Sequence, residues 1–306
     1  MSLKIVFMGT PEFSIPTLKA IIKNKLNILS VYTRPPKKSK RGQKINSSPI
    51  AVFCEKNKIK YRNPENLNND EELKILKDLS PDIVVVVAYG QIIPKFFLSV
   101  AKFGFINIHA SLLPKWRGAA PIQRAIMNRD KKIGLSIMKI EEKLDSGPVL
   151  ASTELELDKK LTHKEIEKKL SFIGANLLIE NLKNIEKGTT NFVMQKHSEA
   201  TYAKKIDKSE TKINWNMDAD KVLAHVHGLS PNPGAWFKYE NERFKVLKVK
   251  INQSNGKPGL VIDENLTVAC KSNSIQILQI QRQGKTKQTT KEFLLGKKIR
   301  NGIVLS

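Results

Sequence analysis

Hydrophobic positions in the first half of the chain fall into short continuous runs rather than an alternating pattern. Residues 3–9, 28–32, 82–89 and 105–109 are rich in Ile, Val and Phe, and the third of these contains Ile-Val-Val-Val-Val-Ala. Runs of this length predict strands of a parallel sheet covered on both faces. A helix is predicted over 14–24, with Ser14 as candidate cap and Pro16 in its first turn. A further strand is expected at 135–140. Thr162-His-Lys-Glu165 matches a capping box ahead of Ile166, Leu170, Ile173, Leu177, Leu178 and Leu182, which follow helical spacing. The fold class is α/β, with a doubly wound, Rossmann-like domain at the N-terminus.

The pattern changes after Gly188. Residues 190–209 are polar and weakly periodic, as expected of a linker. Beyond them, short strand-like runs at 236–239, 244–251, 260–262, 266–270 and 275–280 are separated by Asn, Gly and Pro. Five short strands predict a smaller C-terminal OB-like β-barrel. The expected organisation is therefore an α/β domain over 1–189, a linker over 190–209 and a barrel over 210–306.

Charge adds a candidate partner. The chain carries 53 Lys+Arg against 29 Asp+Glu, and 53 − 29 gives +24. Residues 205–306 contribute 18 against 9, or +9. Such an excess attracts polyanions, nucleic acid foremost, although a Lys-rich solubilising surface accounts for it equally well. Cys54 and Cys270 are far apart and lack CxxC or Cys/His spacing, so neither a disulfide framework nor a zinc site is expected. The longest apolar run, 83–89, is much shorter than the ~20 residues of a membrane helix. The chain enters a strand at once, without a secretory signal pattern. A cytoplasmic protein with no membrane association is expected.

Strand alternation puts Asn107 and His109 on one face of the run Phe105-Ile-Asn-Ile-His109. Both stand near the carboxyl end of a strand, the edge at which open α/β sheets bind ligands. Asp145, in the turn Leu144-Asp-Ser-Gly-Pro148, reaches the same edge if the 135–140 strand lies alongside. An amide donor, an imidazole and a carboxylate suit a tetrahedral oxyanion intermediate. Ser111 and Ser146 are the available nucleophiles, and nothing marks either as activated. Polar residues at a strand end more commonly satisfy loop backbone, so spacing alone leaves both readings open.

Longer motifs narrow the choice. Met8-Gly-Thr-Pro-Glu-Phe13, Asn107-Ile-His-Ala-Ser-Leu-Leu-Pro114 with its continuation Lys115-Trp-Arg-Gly-Ala-Ala-Pro-Ile-Gln123, and Asp145-Ser-Gly-Pro148 closely resemble the methionyl-tRNA formyltransferase family. The resemblance spans nearly the whole chain. It implies that 10-formyltetrahydrofolate donates a formyl group to the amine of methionine on initiator tRNA; a monomer without a metal is expected. It implies that Asn107 and His109 hold the oxyanion, that His109 helps proton transfer, and that Asp145 orients His109. Pterin contacts would come from Ala88, Tyr89, Gly90 and Ile93, largely through backbone, with Ser111, Leu112, Leu113 and Pro114 as the adjoining wall.

Arg34-Pro-Pro-Lys-Lys-Ser-Lys-Arg-Gly-Gln-Lys44 holds six basic residues and no acid. Such a run is usually a solvated loop, but its place after a sheet strand could set it beside the site, where basic groups neutralise phosphates. The resemblance implies that it probes the tRNA acceptor end through Lys38, Lys40, Arg41, Gly42 and Lys44, with Arg41 at the family's Arg-Gly position. Pro35-Pro36 departs from the Pro-Asp step that family members often carry. In the barrel, Lys245, Lys248, Lys250, Lys285 and Lys287 read as ordinary strand-edge lysines or as a second basic surface. His225-Val-His227 reads as packing rather than a metal site. A nicotinamide enzyme fits poorly, because GxGxxG after the first strand and an acid near the end of the second are both missing. A formyltransferase acting on a nucleotide sugar or purine precursor, and a non-catalytic RNA-binding protein, are the remaining alternatives.

Overall fold

The computed structural model describes residues 3–39 and 44–306. In the first part of the chain the strands are β1 (Lys4–Gly9), β2 (Asn27–Tyr32), β3 (Lys37–Ser39), β4 (Lys44–Asn46), β5 (Tyr61–Arg62), β6 (Ile83–Val87), β7 (Phe105–His109), β8 (Arg117–Gly118), β9 (Lys132–Lys139) and β10 (Val149–Glu156). Seven of them form one sheet in the order β10-β9-β7-β6-β1-β2-β5, and β3 and β4 form a separate antiparallel ribbon. The unbroken valine run makes β6, the central strand of the seven, buried at every position. β1 runs parallel to β2 and β6, and β6 parallel to β7.

One strand direction was not readable from the sequence, and one expectation needs correction. β9 is antiparallel to β7, with Asn107 opposite Met138 and His109 opposite Ser136. A buried apolar run does not record its direction, so this turn of the chain could not be read from composition. Ser14 is not a cap: its backbone is already helical, ahead of α1 (Ile15–Lys23), and its hydroxyl donates to the Val87 carbonyl at 2.6 Å. Capping of the expected kind is found instead at Ser48, ahead of α2 (Pro49–Lys56), and at Asn69, ahead of α3 (Asp70–Leu79).

The chain divides into two compact units. The first comprises Met1–Gly118, Gly134–Leu155 and Glu167–Tyr202; the second comprises Ala119–Ile133, Glu156–Ile166 and Ala203–Ser306. One core of the first unit gathers Val6, Met8, Val84, Val86, Phe97 and Phe105. The elements that follow α3 are α4 (Pro121–Met127), α5 (His163–Glu186), β11 (Tyr202–Ala203), α6 (Ala219–Leu229), β12 (Ala235–Tyr239), β13 (Glu242–Asn252), β14 (Thr267–Ala269), β15 (Ser274–Arg282), β16 (Gln288–Thr289) and α7 (Thr290–Gly296).

In the second unit the strands form a five-stranded sheet, β12-β13-β15-β14, with β16 paired to β15. Residues 260–262 do not form the expected strand. Leu260 and Val261 make isolated bridges to Val304 and Val268. Backbone bonds nonetheless continue the pairing: Lys238 N donates to Ser306 O (2.7 Å), Leu305 N to Gly259 O (2.8 Å) and Ala269 N to Leu260 O (2.9 Å). Phe237 stacks on Phe244 at 5.5 Å in the core. His225 faces the Glu210 carbonyl at 2.6 Å, and His227 lies between the Lys159 carbonyl and the Val249 N–H. Burial lowers the pKa of both imidazoles, which pack in the neutral form.

Lys248, a candidate basic-surface residue, is instead committed to an ion pair with Glu165 at 3.0 Å. Burial alone would raise the Glu165 carboxyl, but the Thr162 N–H, the Lys248 ammonium and the Thr162 hydroxyl hold it down to about 2. Unfolded, a glutamate titrates near ~4.3, so this contribution is present above that value and is lost as pH falls toward 2. The stability difference between wild type and Glu165→Gln, from urea unfolding, is therefore expected to shrink between pH 5 and pH 2. With the Glu165 side chain 42% exposed, the difference at pH 7 should be modest, at most ~1 kcal/mol. A pH-independent difference would contradict the pairing.

Cys54 and Cys270 are free and buried, and burial pushes their thiols up to about 11 and about 12. Among the described residues no group of three or more His, Cys, Asp or Glu is arranged to hold a metal. No helix among them is long and apolar enough to cross a membrane.

Candidate active site

β7 delivers Asn107 and His109 to the end of the sheet, with Asn107 half-buried and His109 6% exposed. Among the described residues no side-chain bond engages Asn107, which leaves its amide as a donor at the sheet edge. The neighbouring β9 leads through residues 140–144 into the turn that carries Asp145. The Lys139 N–H bonds the Pro148 carbonyl at 2.9 Å and so folds that turn back along the strand. A Cβ at Gly147 would run into the Lys139 carbonyl, so the turn closes only with glycine there.

This fold-back brings Asp145 Oδ2 to 3.6 Å from His109 Nδ1. That is longer than a hydrogen bond. The same carboxylate oxygen accepts from the Gly118 N–H at 2.8 Å. The other ring nitrogen, His109 Nε2, lies 3.0 Å from the Trp116 carbonyl. A carbonyl only accepts, so that contact puts a proton on Nε2, and a neutral ring then has a bare Nδ1 facing the carboxylate. Asp145 can accept from Nδ1–H only when the ring is doubly protonated or when Nε2 is released from Trp116. The arrangement thus couples the state of Nε2 to the His109–Asp145 contact.

The expected pterin edge lies at the end of β6. Ala88 has φ 47° and Gly90 φ 79°, which turns the backbone out of the sheet. Thr10 anchors it by donating to the Tyr89 carbonyl at 2.6 Å, as Ser14 does at Val87. The Tyr89 side chain is buried in the core, so only its backbone is offered at the edge. Ile93 is half-buried beside it in sequence. The expected wall is braced by Ser136, whose hydroxyl donates to the Ser111 carbonyl (2.9 Å) and accepts from the Leu113 N–H (3.1 Å). Leu112, Leu113 and Pro114 are half-buried. The two serines considered as nucleophiles donate to carbonyls, Ser111 to Lys115 (2.6 Å) and Ser146 to Lys143 (2.9 Å). Neither has a base beside its oxygen in those contacts.

Arg34 opens the basic run, and its side chain packs against Gly90: a Cβ there would sit 3.3 Å from Arg34 Cδ. Lys40, Arg41 and Gly42 lie outside the described residues, as do the side chains of Lys38 and Lys44. Arg117, Ser136 and Gln195 were not singled out by sequence reasoning. Arg117 sits inside the recognisable segment, but no spacing separates it from its neighbours. Gln195 lies in a polar stretch with no periodicity.

The sequence matches two families end to end, formyl transferase over residues 3–182 and formyl transferase, C-terminal domain, over residues 205–298. With the Asn/His/Asp edge in the first of these, both parts define a formyl transferase with an α/β N-terminal domain and a β C-terminal domain. The chain is 50% identical over 304 residues to the methionyl-tRNA formyltransferase of Pelagibacter ubique (strain HTCC1062), covering 99% of this chain and 98% of that protein. It belongs to the methionyl-tRNA formyltransferase family of enzymes. The fold is also that of WlaRD, a sugar 3N-formyl transferase solved in the presence of dTDP and 5-N-formyl-THF, with TM-score 0.70, 18% identity and coverage of 94% of this chain and 100% of that one. HypX from Aquifex aeolicus, solved with tetrahydrofolic acid, is similar at TM-score 0.67 and 17% identity over 99% of this chain, which spans 51% of HypX.

Proposed function

We propose that this enzyme transfers the formyl group of 10-formyltetrahydrofolate to the α-amine of methionine on initiator tRNA, in the cytoplasm, for translation initiation. The observation that carries the reading is the meeting of Asn107, His109 and Asp145 at one sheet edge in a chain that matches the family over its full length. The amine attacks the formyl carbon, and the carbonyl oxygen takes up the negative charge. Asn107 and His109 donate to that oxygen. Collapse of the intermediate breaks the bond to the folate nitrogen, and the proton lost by the amine passes by way of His109 to that leaving nitrogen. Asp145 fixes the imidazole when Nδ1 carries a proton. No metal takes part.

The folate sits along Ala88, Tyr89, Gly90 and Ile93, held mainly by backbone, with Ser111, Leu112, Leu113 and Pro114 as its wall. The two solved structures that contain folates share this fold, which supports the choice of donor. Lys38, Lys40, Arg41, Gly42 and Lys44 contact the tRNA acceptor end. The packing of Arg34 on Gly90 supports that placement, because it starts the basic run at the folate edge. Residues 1–189 act as the catalytic domain, 190–209 as the linker and 210–306 as an OB-like barrel that binds tRNA. The backbone bonds from Lys238 through 306–303 to 259–261 support a closed barrel, and the net +9 of residues 205–306 suits a phosphate backbone. The protein works as a monomer.

Incubation with 10-formyltetrahydrofolate and methionyl initiator tRNA should yield N-formylmethionyl-tRNA, read by the mass of the released amino acid. Transfer to a nucleotide amino sugar with none to tRNA would replace this reading with the sugar formyltransferase alternative. Binding of tRNA without any transfer would replace it with the non-catalytic one.

A further inference from the structure

Gln195 lies in the polar stretch after α5, yet it is only 7% exposed. Its amide nitrogen donates to the carbonyls of Asp145 (2.9 Å) and Gly147 (2.7 Å). Its amide oxygen accepts from Arg117 Nε (3.1 Å) and Nη2 (2.7 Å). Two donated and two accepted bonds use the full capacity of a carboxamide. The backbone around it is also fixed, because Val193 pairs with Val149, just after the catalytic turn, through bonds of 2.8 and 2.9 Å.

Both partners of Gln195 lead to the same carboxylate. On one side it holds the backbone of the turn from which Asp145 projects. On the other it holds Arg117, 4% exposed, whose Nη2 also meets His197 Nδ1 at 3.0 Å. The residue after Arg117 is Gly118, whose N–H binds Asp145 Oδ2 at 2.8 Å. Asp145 itself has φ 47°. A non-glycine residue in that region is strained and persists only where its surroundings over-determine it. The four bonds of Gln195 are such surroundings.

We propose that Gln195 is a positioning residue for formyl transfer, clamping the 145–147 turn to Arg117 so that the Asp145 carboxylate is held against His109. The inference rests on the catalytic assignment of Asp145 and His109 made above. A group that holds a catalytic residue by its backbone acts through that residue alone, whereas a residue that merely satisfies buried polar groups changes stability whatever stands at position 145.

The test is a double-mutant cycle with Asp145→Ala, measured with methionyl initiator tRNA and 10-formyltetrahydrofolate. Gln195→Met keeps the volume and removes every bond. Gln195→Glu keeps an acceptor for Arg117 and removes only the two donors, so it decides the matter if the Met variant fails to fold. Each substitution is expected to lower kcat by ~10²-fold, the cost of a small displacement in a catalytic constellation, with KM for both substrates unchanged. In the Asp145→Ala background the same substitutions should leave kcat where Asp145→Ala alone puts it. Wild-type kcat in Gln195→Glu, or losses that multiply in full with Asp145→Ala, would overturn the proposal. Full activity of Asp145→Ala on its own would instead remove the catalytic assignment beneath it, and the proposal with it, so that single variant tells the two failures apart.

Discussion

His109→Ala should lower kcat for formyl transfer by ~10²- to 10³-fold, the typical cost of removing one donor to a developing oxyanion. The loss should fall on kcat rather than on folate binding. The edge proposed for folate is the backbone after β6, held by Thr10 and Ser14, and none of those bonds passes through the imidazole. The variant should also fold, because the atoms removed bond only the Trp116 carbonyl and approach the Asp145 carboxylate at 3.6 Å. Steady-state kinetics with charged initiator tRNA, alongside a folate titration, separates the two effects. Wild-type turnover would remove His109 from the mechanism, and loss of folate affinity in step with kcat would move it to the binding edge.

The second large effect is expected at a glycine outside the residues proposed for catalysis and folate binding. In Gly147→Ala the new methyl meets the Lys139 carbonyl, backbone of β9 that cannot swing aside as a side chain would. Overpacking of this kind costs ~1–3 kcal/mol. The turn has one way to relieve it, which is to lift off β9 and carry the Asp145 carboxylate away from His109. Displacement by ~1 Å costs on the order of 10²-fold in rate. Gly147→Ala should thus show both a lower thermal midpoint and a kcat reduced by about that factor. A variant that loses stability but keeps wild-type kcat would show that the turn can relax without moving Asp145.

The two effects differ in how far they could be foreseen. Strand period alone put Asn107 and His109 on one face, and the register of β7 against β6 and β9 agrees with it. Asp145 could not be placed that way. Its approach depends on β9 returning antiparallel beside β7, and an apolar run buried in a sheet reads the same in either direction. The hydroxyl of Ser14 likewise reads as a cap by type and position, but in the fold it serves the end of β6. Gln195 was hidden for a different reason. Its role comes from four bonds to residues 48 to 78 positions away, and a polar residue in an aperiodic stretch carries no mark of such partners. In the second unit, Thr289 and Glu292 form a complete capping box for α7 in a stretch otherwise read as short strands. The 260–262 segment has strand composition but pairs only through single bridges. Local pattern was legible where one element decided the outcome, and it failed where the outcome lay in how distant segments meet.

One comparison bears most directly on the whole account: kcat/KM for formyl transfer from 10-formyltetrahydrofolate to methionyl initiator tRNA against methionyl elongator tRNA. The two acceptors carry the same amine, so the catalytic centre proposed at Asn107, His109 and Asp145 would treat them alike, and any preference must come from contacts with the RNA. A strong preference for initiator tRNA is predicted, with the rate on both tRNAs falling as salt is raised, because basic side chains make the RNA contacts. Equal rates on both tRNAs, or transfer to neither, would contradict it.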